Sequence, residues 1–86
     1  MKYLTSKQFD KNFSKLSKKV KEKVITQFTI FLNDPVDFRL NNHSLNGKWR
    51  HYRSINITAD IRAVYKLEDG QIARFVDIGS HSDLYK

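Results

Sequence analysis

Four side chains in the second half of the chain are of types that move a proton or hold a phosphate: His43, Asp60, Arg62 and His81. A histidine, with an unperturbed pKa of about 6.5, gives or takes a proton near neutral pH. An arginine offers a planar, permanently charged fork that matches phosphate oxygens in pairs. A carboxylate can act as a base or orient an imidazole through a hydrogen bond. His81 follows Gly79-Ser80 just past an apolar run, where a side chain can be presented to a cleft. Asp60 also has a purely structural reading, since aspartate favours turns. His43 lies in a polar stretch and reads equally well as a solvated loop histidine. Tyr85 can stack on a nucleobase or pack the C-terminus onto the fold. Trp49 reads first as packing at a strand edge.

These side chains need elements to position them. Lys2–Thr5 is a short, partly apolar first strand, and Thr5 or Ser6 can cap a following helix. Phe9, Phe13 and Leu16 recur at helical spacing and form one buried stripe, while Lys7, Lys11 and Lys15 line another face. Ser17 can cap a second helix. Val20, Val24, Phe28 and Phe31 continue the period there, with Ile25 and Leu32 widening the apolar stripe, and Asn33-Asp34-Pro35 ends it. Residues 36–47 read as a loop anchored by Leu40 and Leu45. From Trp49 the pattern turns to strands: Trp49–Ile57, Ile61–Leu67 and Ile72–Ile78, joined by short polar links that suit hairpins. In the middle strand Ile61, Ala63, Tyr65 and Leu67 share one face, and Arg62, Val64 and Lys66 the other. This predicts an α+β fold of order strand, helix, helix, three strands, with two N-terminal helices packed on a mostly antiparallel four-stranded sheet. Arg53 shares parity with Ile55 and Ile57, which should be buried. A bulge or the sheet's edge would resolve that conflict.

Composition narrows the function classes. Eighty-six residues make one domain, spanning 1–86. There is no cysteine, and three scattered histidines give none of the usual zinc spacings, so no metal site is expected. No phosphate-binding glycine loop or other cofactor motif is present. No apolar run approaches the ~20 residues of a membrane span, and the first residues lack a signal-peptide core, so a cytoplasmic protein is expected. The net charge is +7, unevenly spread. Residues 1–32 hold eight lysines against two acids. Residues 33–86 hold all five arginines and three lysines against seven acids. Diffuse lysine suits attraction to a polyanion, and localised arginine suits defined phosphate contacts.

The segments His43-Ser-Leu-Asn-Gly-Lys-Trp49, Tyr52-Arg53 and Gly79-Ser-His-Ser-Asp-Leu-Tyr85, in this order in a small basic chain, resemble the RelE/ParE toxin superfamily. The YafQ-like and RelE-like messenger RNA interferases of bacterial type II toxin-antitoxin systems are the most similar branch. The resemblance covers nearly the whole chain. It implies ribosome-dependent cleavage of messenger RNA by attack of the 2′-hydroxyl on the adjacent phosphate, without a metal ion. It also implies a cognate antitoxin, acidic or folding on binding, that forms a heteromeric complex with a toxin that is monomeric alone. In these terms His81 is the general acid, Arg62 the cation at the scissile phosphate, and His43 or Asp60 the base. Arg53, Tyr85, Lys7, Lys11 and Lys15 are RNA contacts. His51 has no counterpart in the pattern.

The chain departs from the YafQ pattern in three places. Asn56 stands where a second histidine would, Ile61 where a tryptophan would, and Asp77 near an expected arginine. Asn56 cannot exchange a proton. Asp77 would repel a message unless paired, for instance with Arg62 or Arg74. Two other readings stay open: a non-catalytic, ParE-like inhibitor of DNA gyrase, and an RNA- or ribosome-binding module with a decayed site.

Overall fold

The computed structural model describes residues 1–85. The chain runs β1 (Lys2–Thr5), α1 (Lys7–Ser14), α2 (Lys18–Asn33), β2 (His43–Ser44), β3 (Arg53–Asn56), β4 (Ile61–Glu68), β5 (Ile72–Ser80) and α3 (His81–Leu84). Turns of 3₁₀ helix lie at Phe38–Leu40 and Gly47–Trp49. Both long helices start at hydroxyl caps: Ser6 Oγ accepts from the Phe9 N–H and Ser17 Oγ from the Val20 N–H. Each cap satisfies one of the amide groups that a helix start leaves free. The α+β class and the element order agree with the sequence reading.

The sheet differs in one respect. It has five strands in the order β1-β5-β4-β3-β2, not four. The added strand is only two residues long and lies inside the stretch read as a loop; His43 pairs with Ser54 and Ser44 with Arg53. Only β1 against β5 is parallel. The run expected over Trp49–Ile57 starts pairing at Arg53 rather than Trp49, because residues 47–49 coil into a 3₁₀ turn with Gly47 at φ 65°.

The helices cover one face of the sheet. Phe75 sits at the centre of an aromatic cluster with Phe9, Phe28, Phe31 and Tyr65, at ring distances of 6.1, 4.4, 5.3 and 5.1 Å. Each fully buried aromatic or aliphatic side chain contributes roughly 1.5–3 kcal/mol by leaving water. A bulge in β5 keeps this face apolar: Val64 pairs with Asp77 and Tyr65 with Phe75, which leaves Val76 over. Ala73 and Phe75 therefore face the helices before the bulge and Ile78 after it.

The α2 stripe is narrower than its apolar residues suggested. Ile25 is 65% exposed and Leu32 37%, whereas Gln27 is buried beside Val24, Phe28 and Phe31. The helix meets the sheet along the line 24–27–28–31, and Ile25 and Leu32 fall to its flank.

Candidate active site

The face of the sheet away from the long helices carries the site. Residues paired across strands share a face, so His43, Ser54 and Val64 form one row and Asn56, Arg62 and Gly79 the next. The chain's end folds back over these rows. Ser80 Oγ accepts from the Asp83 N–H and starts α3. The Leu84 side chain is buried and lies where a Cβ on Gly79 would meet it at 3.9 Å. The indole N–H of Trp49 donates to the Leu84 carbonyl at 2.9 Å. Trp49 is thus a latch for the tail, in keeping with its reading as packing.

Between these parts lies a cleft of about 270 Å³, lined by His43, Leu45, Asn46, Trp49, His81 and Tyr85. It brings together two histidines that are far apart in sequence. The His43 Nδ1 lies 2.8 Å from the Asn41 carbonyl. A carbonyl only accepts, so Nδ1 carries the hydrogen and Nε2 keeps its lone pair in the neutral ring. His81 is fixed through its backbone: its N–H donates to the Asp60 carbonyl at 3.0 Å. The Tyr85 ring meets the His81 ring edge-on at 4.7 Å. The hydroxyls of Tyr85 and Ser54 and the side-chain oxygen of Asn56 are buried without a hydrogen-bond partner among the described residues.

The remaining expected residues lie around this cleft rather than in it. Asp60 holds His81 by its main-chain carbonyl, not by its carboxylate. Arg62 is on the site face, and its Nη1 donates to the carbonyls of Thr58 and Ala59 at 3.2 and 2.7 Å. Arg53 pairs with Tyr65 and so lies on the helix-covered face, half-buried. Its Nε donates to Asn42 Oδ1 at 2.8 Å, and Asn42 Nδ2 donates to the Tyr65 hydroxyl at 2.7 Å. The sheet's end accommodates Arg53 there; the bulge is in β5. Lys7 and Lys11 are exposed on α1 and Lys15 just past its end, where Lys15 borders a second cleft, of about 400 Å³, against α3. Leu45, named above as a loop anchor, and Asn46 were not expected to line a cleft, and the Asn41 carbonyl and Gln27 were not anticipated at all. No pattern of residue types marks a carbonyl or a loop flank.

The bacterial toxin family YafQ, of type II toxin-antitoxin systems, matches residues 1–86. The chain belongs to the YafQ family. It is 30% identical over 84 residues to the mRNA interferase toxin YafQ of Escherichia coli K12, covering 93% of this chain and 90% of that one. The crystal structure of YafQ from E. coli BL21(DE3) superposes with a TM-score of 0.82 at 26% identity, over 98% of this chain and 97% of that one. YafQ in the E. coli DinJ–YafQ toxin-antitoxin complex gives 0.78 at 26% identity, over 98% and 96%. Among the described residues Asp77 forms no ion pair with Arg62 or Arg74, the partners considered for it above. Asp77 accepts from Asn12 Nδ2 at 2.7 Å and from the Ile78 N–H at 2.8 Å, joining α1 to β5. Arg74 instead pairs with Glu68 at 2.6 Å, and this hydrogen bond holds the Glu68 carboxyl below its usual pKa. Ile61 packs against the core.

Proposed function

We propose that this chain is a ribosome-dependent endoribonuclease, the toxin of a type II toxin-antitoxin pair, which cuts messenger RNA without a metal ion. The single observation that carries this reading is the meeting of His43 and His81 in one cleft walled by Trp49 and Tyr85. His43 Nε2 takes the proton of the 2′-hydroxyl. The 2′-oxygen attacks the adjacent phosphorus, and the bond from phosphorus to the 5′-oxygen breaks. His81, protonated, gives its proton to that leaving oxygen. The products are a 2′,3′-cyclic phosphate and a 5′-hydroxyl, so protons and bonds balance.

Arg62 contributes its remaining N–H groups to the charge that builds on the phosphate in the transition state. Asp60 is a positioning residue for His81. Arg53 acts through Asn42 on the segment that carries His43, rather than on RNA. Tyr85 and Trp49 offer faces on which a base of the message stacks. Lys7, Lys11 and Lys15 grip ribosomal RNA through its phosphates. The E. coli relative is an mRNA interferase and is known in complex with DinJ. By likeness, an acidic antitoxin that folds on binding neutralises this chain in the bacterial cytoplasm.

The test is to incubate the purified protein with programmed ribosomes and message, beside free message, and to map the cuts. His81→Ala and Arg62→Ala run in parallel. Cleavage only on ribosomes, lost in both variants, is the expected result. Cleavage that survives His81→Ala removes it as the acid. No cleavage by the wild-type protein overturns the nuclease reading and makes gyrase supercoiling the next assay.

A further inference from the structure

We infer that Gln27 is a positioning residue for His43, an inference that rests on the nuclease reading only for its kinetic readout. Gln27 is 4% exposed, in the middle of the apolar stripe of α2. Its amide nitrogen donates to two main-chain carbonyls, Asn56 at 3.0 Å and Arg39 at 3.2 Å. Both of its hydrogens are therefore used.

The two carbonyls belong to the segments that frame the site. The Ile57 N–H donates to the Ile61 carbonyl, so Ile57 bonds toward β4. Alternation along the ladder then aims the Asn56 carbonyl off the outer edge of β3, toward β2. Since His43 pairs with Ser54, a longer β2 would bring Asn41 opposite Asn56. Asn41 instead adopts the left-handed conformation, φ 46°, and closes the 3₁₀ turn Phe38–Leu40. Leaving the ladder has two effects. It turns the Asn41 carbonyl onto His43 Nδ1, which sets the tautomer. It also removes the donor that would have met the Asn56 carbonyl.

Gln27 supplies the missing donor. With its second hydrogen it ties down Arg39, inside the turn that Asn41 closes. One side chain from the helical layer thus stabilises the excursion that presents His43 Nε2 to the cleft. Without it, the part-buried Asn56 carbonyl would favour return of Asn41 to the strand, since a carbonyl left unmet away from water is costly. The same clamp fixes the strand end that leads to Asp60, the partner of the His81 N–H.

Gln27→Met keeps the length of the side chain and removes both donors. In this variant the His43 imidazole nitrogen signals, read by NMR, should move away from the pure Nδ1–H tautomer. The kcat on programmed ribosomes should fall between about 10- and 100-fold, as for a displaced catalytic group, with KM within about twofold. Gln27→Asn keeps an amide on a stem one methylene shorter; it should fall between the two, and it decides the matter if Gln27→Met does not fold. A folded variant with wild-type imidazole signals and wild-type kcat overturns the inference. So does a kcat that falls only in step with the folded fraction. If the wild-type protein cuts no message, the nuclease reading fails, and the imidazole signals still decide the role of Gln27.

Discussion

His43 bears its hydrogen on Nδ1 because the atom facing that nitrogen at 2.8 Å is a carbonyl oxygen. In the mechanism proposed above, His43 rather than Asp60 is therefore the base. His43 lines the cleft with His81, whereas Asp60 does not line it and meets His81 through its main-chain carbonyl. His43→Gln and His81→Gln should each lower kcat by about 10²–10⁴-fold, the usual worth of a general acid or base. Single-turnover cleavage on ribosomes checks this. A loss confined to KM would mean that the rings bind the message and move no proton. His43, His81 and Arg62 were legible as chemical types. Gln27 was not, because an amide inside an apolar stripe looks like a surface residue until its partners are known.

α3 is one turn long and too short to persist alone. It is held by the Ser80 cap, the Trp49 indole and the burial of Leu84. Ser80→Ala should cost about 1 kcal/mol by chemical denaturation, as for a lost cap. Cleavage should fall further than this stability loss explains, because His81 is the first residue of α3. Equal losses would mean that the tail's order does not govern His81. The turn before β2 has its own electrostatic lock. Arg39 donates twice to the Asp37 carboxylate, and this hydrogen bonding lowers the Asp37 pKa from 3.8 to about 2. A lowered carboxylate pKa stabilises the fold above the unfolded value and loses that stabilisation as pH falls through the folded one. The Tm difference between the wild-type protein and Asp37→Asn should be constant above about pH 5 and shrink between about pH 4 and 2. A difference that does not change with pH would mean that ionisation of Asp37 does not stabilise this turn.

At the scale of the molecule, charge is unevenly placed. Residues 1–32, which hold both long helices but for the last residue of α2, carry eight lysines against two acids and so most of the +7. Among the described residues no helix is long and apolar enough to cross a membrane. If α1 grips ribosomal RNA, replacing Lys7, Lys11 and Lys15 by glutamine should weaken ribosome binding. It should also reduce the slope of log affinity against log salt, by about 0.7–0.9 for each lysine that meets a phosphate. Sedimentation of the protein with ribosomes across a salt series measures both. An unchanged slope would move the contact surface off α1.

The sequence by itself determined the class and order of elements, the Ser17 cap, a first cap at Thr5 or Ser6, the basic first half and the types of the reactive side chains. Periodicity and capping act within a helical turn or a pleat, so they can be read locally. Tertiary structure alone decided which of these residues meet. The bulge at Val76 sets the register of β5, and the departure of Asn41 from the ladder limits β2 to two residues. Pairing then fixes the rest: His43 beside the tail, Arg53 on the covered face, Asp77 on Asn12 and Gln27 between two carbonyls. Each is a choice among partners distant in sequence. It is settled by satisfying main-chain groups and filling a core, and no local pattern encodes it.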